Sequence, residues 1–152
     1  AKVNMLAMHQ LFKFAVKKME AQGFGTVLNV ASSAGLLPGG PYMAGYYATK
    51  AYVVSLTRGV VEELREQHSP VYVCALCPGP VDTEFNERAD VVFALRGIRP
   101  ELCVEEAMRG MLRRKTIIVP SALMRAATMA QRFMPMAILM PILAHQQKKK
   151  LG

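Results

Sequence analysis

The sequence predicts an α/β fold built on a parallel sheet. Segments with a helical period alternate with short strand-like segments, in the order helix, strand, helix, strand, helix, strand. The strand-like segments include continuous apolar runs such as 71–76, which suit parallel strands covered on both faces. No internal repeat or low-complexity linker interrupts the order. With 152 residues, 52% of them hydrophobic and 20% charged, one domain is expected. A chain of this size buries about 68% of its unfolded surface, enough for a core without disulfide or metal staples.

Each element has a local reason. Met5, Met8, Phe12, Ala15 and Met19 recur at helical spacing with Gln10, Lys13, Lys17 and Glu20 opposite them, which predicts an amphipathic helix over residues 3–20. Gly23 and Gly25 end it. Residues 26–30 read as a buried strand, and 32–41 as a loop of small residues containing Gly35, Gly39 and Gly40. Val53, Leu56, Val60 and Leu64 stripe a long helix over 43–66, which His68-Ser69-Pro70 terminates. The apolar strand 71–76 stops at Pro78-Gly79-Pro80. A helix over 101–114 carries acids at its start and Arg109, Arg113 and Arg114 at its end, as the helix dipole favours. Residues 116–119 form a last strand ending at Pro120. Beyond this body of residues 1–120 lies a basic, Met-rich helical tail, 121–152, with breaks expected at Pro135 and Pro141.

The formal net charge is +8, and the tail holds Arg125, Arg132, Lys148, Lys149 and Lys150 without one acid, so the excess belongs largely to the tail. Aromatic residues that would stack on bases do not accompany these cations, which argues against nucleic acid as a partner. Cys74, Cys77 and Cys103 are odd in number and have no histidine cluster beside them, which argues against a disulfide framework and a zinc site. A reducing compartment fits, cytoplasmic or at an intracellular membrane. No apolar run reaches the ~18 residues of a spanning helix, and no signal peptide opens the sequence. Two readings of the run from Phe133 to Ala144 stay open: peripheral contact with a membrane surface or a pocket mouth, and a last helix packed on the core. Lys149-Lys150-Leu151-Gly152 also has the look of a di-lysine retrieval signal.

Tyr46 and Lys50 are four residues apart at the head of the long helix, so both side chains emerge on one face about a turn apart. A phenol is a poor acid or base at neutral pH, and an ammonium beside it stabilises the phenolate. Just after the first strand stands Ser33, in Asn29-Val30-Ala31-Ser32-Ser33-Ala34-Gly35. Just after the second comes Pro78-Gly79-Pro80-Val81-Asp82-Thr83. Both loops lie at the carboxyl edge of a parallel sheet, where α/β enzymes bind ligands.

Together these residues resemble the classical short-chain dehydrogenase/reductase family, from Asn4 to Val119. The resemblance implies a Rossmann-like, doubly wound parallel sheet with flanking helices, of which this chain would supply the C-terminal part. It implies that Tyr46 is the catalytic acid/base, that Lys50 tunes it and holds the nicotinamide ribose, and that Ser33 binds the substrate carbonyl. Asn4 maps onto the residue that holds a relay water. Pro78, Gly79, Val81 and Thr83 map onto cofactor contacts, with NAD or NADP as cofactor. The substrate would be a small carbonyl compound or secondary alcohol. Leu36, Leu37, Met43, Phe85, Val91, Val92 and Phe93 would border its pocket, which tilts the expectation toward a lipophilic acyl chain or steroid-like molecule. A homo-oligomer through the two long helices is also implied.

The family's first strand, its Gly-rich turn and its adenosine-binding strands do not occur in this sequence. The chain therefore reads as the C-terminal portion of an enzyme of about 250 residues. The residue that would choose between NAD and NADP belongs to that first half. The alternative is a cofactor-free remnant acting as a binding or interaction module.

Other candidate residues have blander readings. Residues three apart in a strand face opposite sides, so Cys74 and Cys77 diverge instead of forming a redox pair. His9, His68 and His145 read as solvated, so no metal site is expected. Tyr42 and Tyr47 have no lysine four residues later and read as packing or pocket lining.

Overall fold

The computed structural model describes residues 2–82 and 97–148. A π-helical segment, Lys2–Ala7, leads into α1 (Met8–Gln22), followed by β1 (Thr26–Val30) and a 3-10 turn at Ser33–Leu36. Then come α2 (Ala44–Glu66), β2 (Tyr72–Leu76), α3 (Pro100–Leu112) and β3 (Ile117–Ile118). Two further helices, α4 (Ala122–Ala130) and α5 (Met136–Lys148), flank a 3-10 turn at Gln131–Phe133. The three strands form one parallel sheet in the order β1-β2-β3.

The central strand sets the layers. Val73, Ala75 and Cys77 turn to one face, where they pack with Phe12 and Val16 of α1 and Val53, Val54 and Leu64 of α2. Cys74 and Leu76 turn to the other face and meet Cys103 and Ala107 of α3 with Ile118 of β3. The period of two in a strand makes this division, and burial on both faces explains why the run is apolar throughout. Fully burying a side chain such as Val54 contributes about 1.5–3 kcal/mol. A polar pair lies between β1 and α2: Asn29 Nδ2 donates to Thr57 Oγ1 at 2.9 Å, and Thr57 Oγ1 donates in turn to Val53 O at 2.8 Å.

The structure corrects three sequence expectations. The last strand is only two residues long, although Ala75 N still donates to Thr116 O at 2.8 Å and Cys77 N to Ile118 O at 2.7 Å. Pro120, with no N–H, ends the pairing. The first helix begins as a π-helical stretch and becomes α-helical only at Met8. Pro141 does not break the last helix but lies within α5. Leu139, Leu143 and Gln147, spaced four apart, are all buried along one side of that helix. Their burial offsets the hydrogen bond that proline cannot donate.

Gly35 shows how closely the 3-10 turn rests on α2. A Cβ there would sit 2.4 Å from the carbonyl oxygen of Lys50, a backbone atom that cannot swing aside. Gly35→Ala is therefore expected to destabilise the protein by about 1–3 kcal/mol. The measurement is a lower urea midpoint with an unchanged slope.

Candidate active site

Both candidate loops leave the same edge of the sheet. β1 and β2 pair in register with Val30 opposite Leu76, and the pairing continues past the strand ends. Ala31 N donates to Leu76 O and Ser33 N to Pro78 O, each at 2.8 Å. The Ser33 loop and the Pro78 loop are thereby laced together.

The two adjacent serines divide their work. Ser32 caps the 3-10 turn, its Oγ accepting from Ala34 N at 3.2 Å. Ser33 is 8% exposed, and its hydroxyl makes no hydrogen bond among the described residues, so it is free for a ligand oxygen.

Tyr46 and Lys50 occupy the first two turns of α2. Lys50 Nζ lies 5.8 Å from the centre of the Tyr46 ring and donates to Val30 O at 3.2 Å. That bond carries the ammonium across from α2 to the last residue of β1, three residues before Ser33. Partial burial lowers the Lys50 pKa from its ordinary value, and the neighbouring Cys77 thiol opposes the shift. Tyr46 is 40% exposed, with no hydrogen bond to its hydroxyl among the described residues. A cation, a partly exposed phenol and an unpartnered serine hydroxyl thus share one sheet edge, a set able to hold and protonate a carbonyl oxygen.

Of the remaining candidates, Pro78 and Gly79 lie in the adjoining loop, where a Cβ on Gly79 would sit 2.8 Å from the Met124 side chain. Val81 pairs with Ile98 in a parallel bridge. Asn4 falls in the π-helical segment, and its side chain lies outside the described structure. Thr83, Phe85, Val91, Val92 and Phe93 also lie outside the described residues.

His9 corrects the reading of a solvated residue. It is half-buried and hydrogen-bonded to the Tyr52 hydroxyl, because α1 packs against α2 at that level. Tyr47 is packing, as expected: it is buried, and a Cβ on Gly40 would sit 2.2 Å from its ring. Sequence reading missed its partner Gln147, whose Nε2 donates to the Tyr47 hydroxyl at 2.5 Å across 100 residues. The available signal was phase, since Gln147 continues the stripe of Leu139 and Leu143.

Residues 1–91 match the family model described as short chain dehydrogenase, and the chain belongs to that family. The D-beta-hydroxybutyrate dehydrogenase of Rhizobium meliloti (strain 1021) is 34% identical over 119 residues, covering 77% of this chain and 45% of the relative. A solved short-chain dehydrogenase from Sphingobium yanoikuyae, in complex with NADPH, superposes with a TM-score of 0.67 at 27% identity, covering 88% of this chain and 55% of that one. A short chain dehydrogenase/reductase from Burkholderia phymatum, in complex with NAD, shares the fold with a TM-score of 0.69 at 24% identity, covering 83% and 53%. The chain spans about half the length of the relatives it matches.

All three cysteines are buried, and burial pushes each thiol above its ordinary pKa, that of Cys77 up to about 11. Cys74 and Cys77 face opposite sides of the sheet. Ellman's reagent at pH 8 is expected to leave all three unmodified in the folded protein and to modify all three after denaturation.

Proposed function

We propose that this chain is the catalytic portion of an NAD(P)-dependent oxidoreductase that interconverts a carbonyl compound and a secondary alcohol. The supporting observation is the Ser33, Tyr46 and Lys50 set on the edge where β1 and β2 end. Ser33 holds the substrate oxygen, Tyr46 gives it a proton during reduction and recovers it during oxidation, and Lys50 keeps a positive charge beside the phenol. The nicotinamide end of a cofactor fits the residues present: Lys50 and Tyr46 are within reach of solvent, and the Pro78–Val81 loop lies beside them. Bound there, NAD or NADP accepts or supplies the hydride. Asn4 and Thr83 complete the set by resemblance alone.

The substrate we propose is lipophilic. A cavity of about 430 Å³ opens beside the far end of the Ser33–Leu36 turn, with Leu36, Leu37, Met134, Met136 and Leu139 among its lining residues and Ser33, Tyr46 and Lys50 outside that lining. Its volume is in the range of small-molecule sites. Arg58 and Arg132 line it too, and no acid does among the described residues.

Partners follow from exposed surface. Leu11 and Phe14 on α1 are exposed, which supports a homo-oligomer through α1 and α2. Residues 121–152 act in this reading as a helical tail at the pocket and at a membrane surface. Phe133 is 85% exposed, and Met136, Ile138 and Ile142 are exposed beside Arg132 and Lys148. An apolar face rimmed by cations suits the plane of an anionic bilayer. No helix among the described residues is long and apolar enough to cross a membrane. We place the protein in the cytoplasm or on an intracellular membrane. Vesicles containing anionic lipid are expected to co-sediment the protein, less so in high salt, while neutral vesicles leave it in solution.

Tyr46→Phe tests the catalytic reading. In the full-length protein, reduction of a lipophilic ketone is expected to slow by about 10²- to 10⁴-fold. The thermal midpoint is expected to stay unchanged, because the lost hydroxyl has no partner among the described residues. Steady-state rates and a melting curve on the same preparation give both quantities.

A further inference from the structure

Tyr46 has little of its own to hold it. The first turn of α2 has no side-chain cap, its N-cap being Met43, and the Tyr46 hydroxyl is unbonded among the described residues. The ring is braced by Lys50 and by the edge of Tyr47, whose centroid lies 6.2 Å away at an interplanar angle of 75°. Tyr47 is in turn fixed from outside the helix. Gly40 lies against its ring, and Gln147 Nε2 holds its hydroxyl at 2.5 Å.

The same helix touches the adjoining loop twice more. Lys148 Nζ sits 5.6 Å from the centre of the Tyr42 ring, and Tyr42 adopts a φ of +66°, a strained value for a bulky residue. A Cβ on Gly39 would lie 3.5 Å from the Met140 methyl. α5 therefore runs along the loop that delivers the chain into the head of α2.

We infer that Gln147, on the last turn of α5, is a positioning residue for Tyr46 and acts through Tyr47. The inference rests on the acid/base role proposed for Tyr46. Gln147 is only 2% exposed, and its Oε1 has no hydrogen-bond partner among the described residues. An aliphatic side chain would bury more easily there, so the amide is not explained by packing. Its hydrogen bond holds the Tyr47 oxygen and so the direction of the ring's long axis, Gly40 lies against the ring itself, and that ring forms one wall of the space Tyr46 occupies. Burial keeps the Tyr47 phenol above its ordinary pKa, so it stays a neutral, fixed wedge.

The test separates positioning from support of the fold. Gln147→Leu, Tyr47→Phe and the double variant are made in the full-length protein, with Tyr46→Phe alongside. Replacing both partners by apolar groups of similar shape leaves no buried polar atom unpaired, so the double variant is expected to melt at or above the wild-type temperature. Its kcat is expected to be lower by about ten- to a hundredfold, with KM changed less than about twofold, and each single variant is expected to lose as much kcat as the double. A double variant that recovers wild-type kcat along with its melting temperature overturns the inference, because Gln147 then acts on the fold alone. So does unchanged kcat in Gln147→Leu while Tyr46→Phe is inactive. Full activity in Tyr46→Phe removes the catalytic reading and this inference with it.

Discussion

The parallel register of β1 and β2 is the constraint on which the site depends. Val30 stands opposite Leu76, so both strands end at one level and their loops emerge side by side. Two further backbone bonds, at Ala31 and Ser33, extend the register into the loops. A slip of one residue would exchange the faces of the strand, putting Val73, Ala75 and Cys77 against α3 and Cys74 and Leu76 against α2. It would also carry Leu76 O and Pro78 O away from Ala31 N and Ser33 N and unlace the two loops. The packing of the core and the pairing of the two loops are thus two consequences of one alignment.

Much of this was legible in the residues. A continuous apolar run can be buried on both sides only in a covered sheet, so 71–76 announced a central strand. Tyr46 and Lys50 were readable because a helix fixes which residues four apart share a face. Ser33 was readable because it follows a strand, and strand ends set where loops begin. The rest depends on contacts between distant segments. His9 looked solvated because its own helix offers polar neighbours, whereas Tyr52, 43 residues away, partners it. Pro141 looked like a break because the buried stripe that carries α5 through it becomes decisive only against a surface. Gln147 was silent for the same reason, since its partner is 100 residues distant.

The polar groups inside the fold are not scattered. Asn29 and Thr57 join β1 to α2 directly, and Thr57 donates to the carbonyl of Val53 in the turn that follows Lys50. A buried pair that satisfies itself in this way costs little once formed and fixes how one element sits on another. Lys50 adds a second tie between the same two elements at the sheet edge. Gly35 supplies a third, through a close approach that leaves no space for a side chain. The helix carrying Tyr46 is therefore tied to β1 and its loop by three contacts, two at Lys50 and one at Thr57.

Above Lys50 the support changes in kind. In the catalytic role proposed for it, Tyr46 must stay reachable by a ligand, so it cannot be enclosed by the core that holds the rest of α2. Its bracing comes instead from the side, through Tyr47, Gly40 and the end of α5. A residue exposed for chemistry gains orientation only from neighbours that are themselves buried, and Tyr47 and Gln147 are the buried neighbours here. The strain at Tyr42 fits this division of labour. A loop bent into a left-handed backbone relaxes unless something packs on it, and Lys148 lies over its ring. The apolar character of residues 136–144 of α5 follows as well. One side covers this loop and the head of α2, and the side left exposed carries Ile138 and Ile142 into solvent between cationic ends. A helix with only a covering role would carry polar residues outward. The exposed isoleucines leave the outer face of α5 apolar, as the membrane contact proposed for it requires.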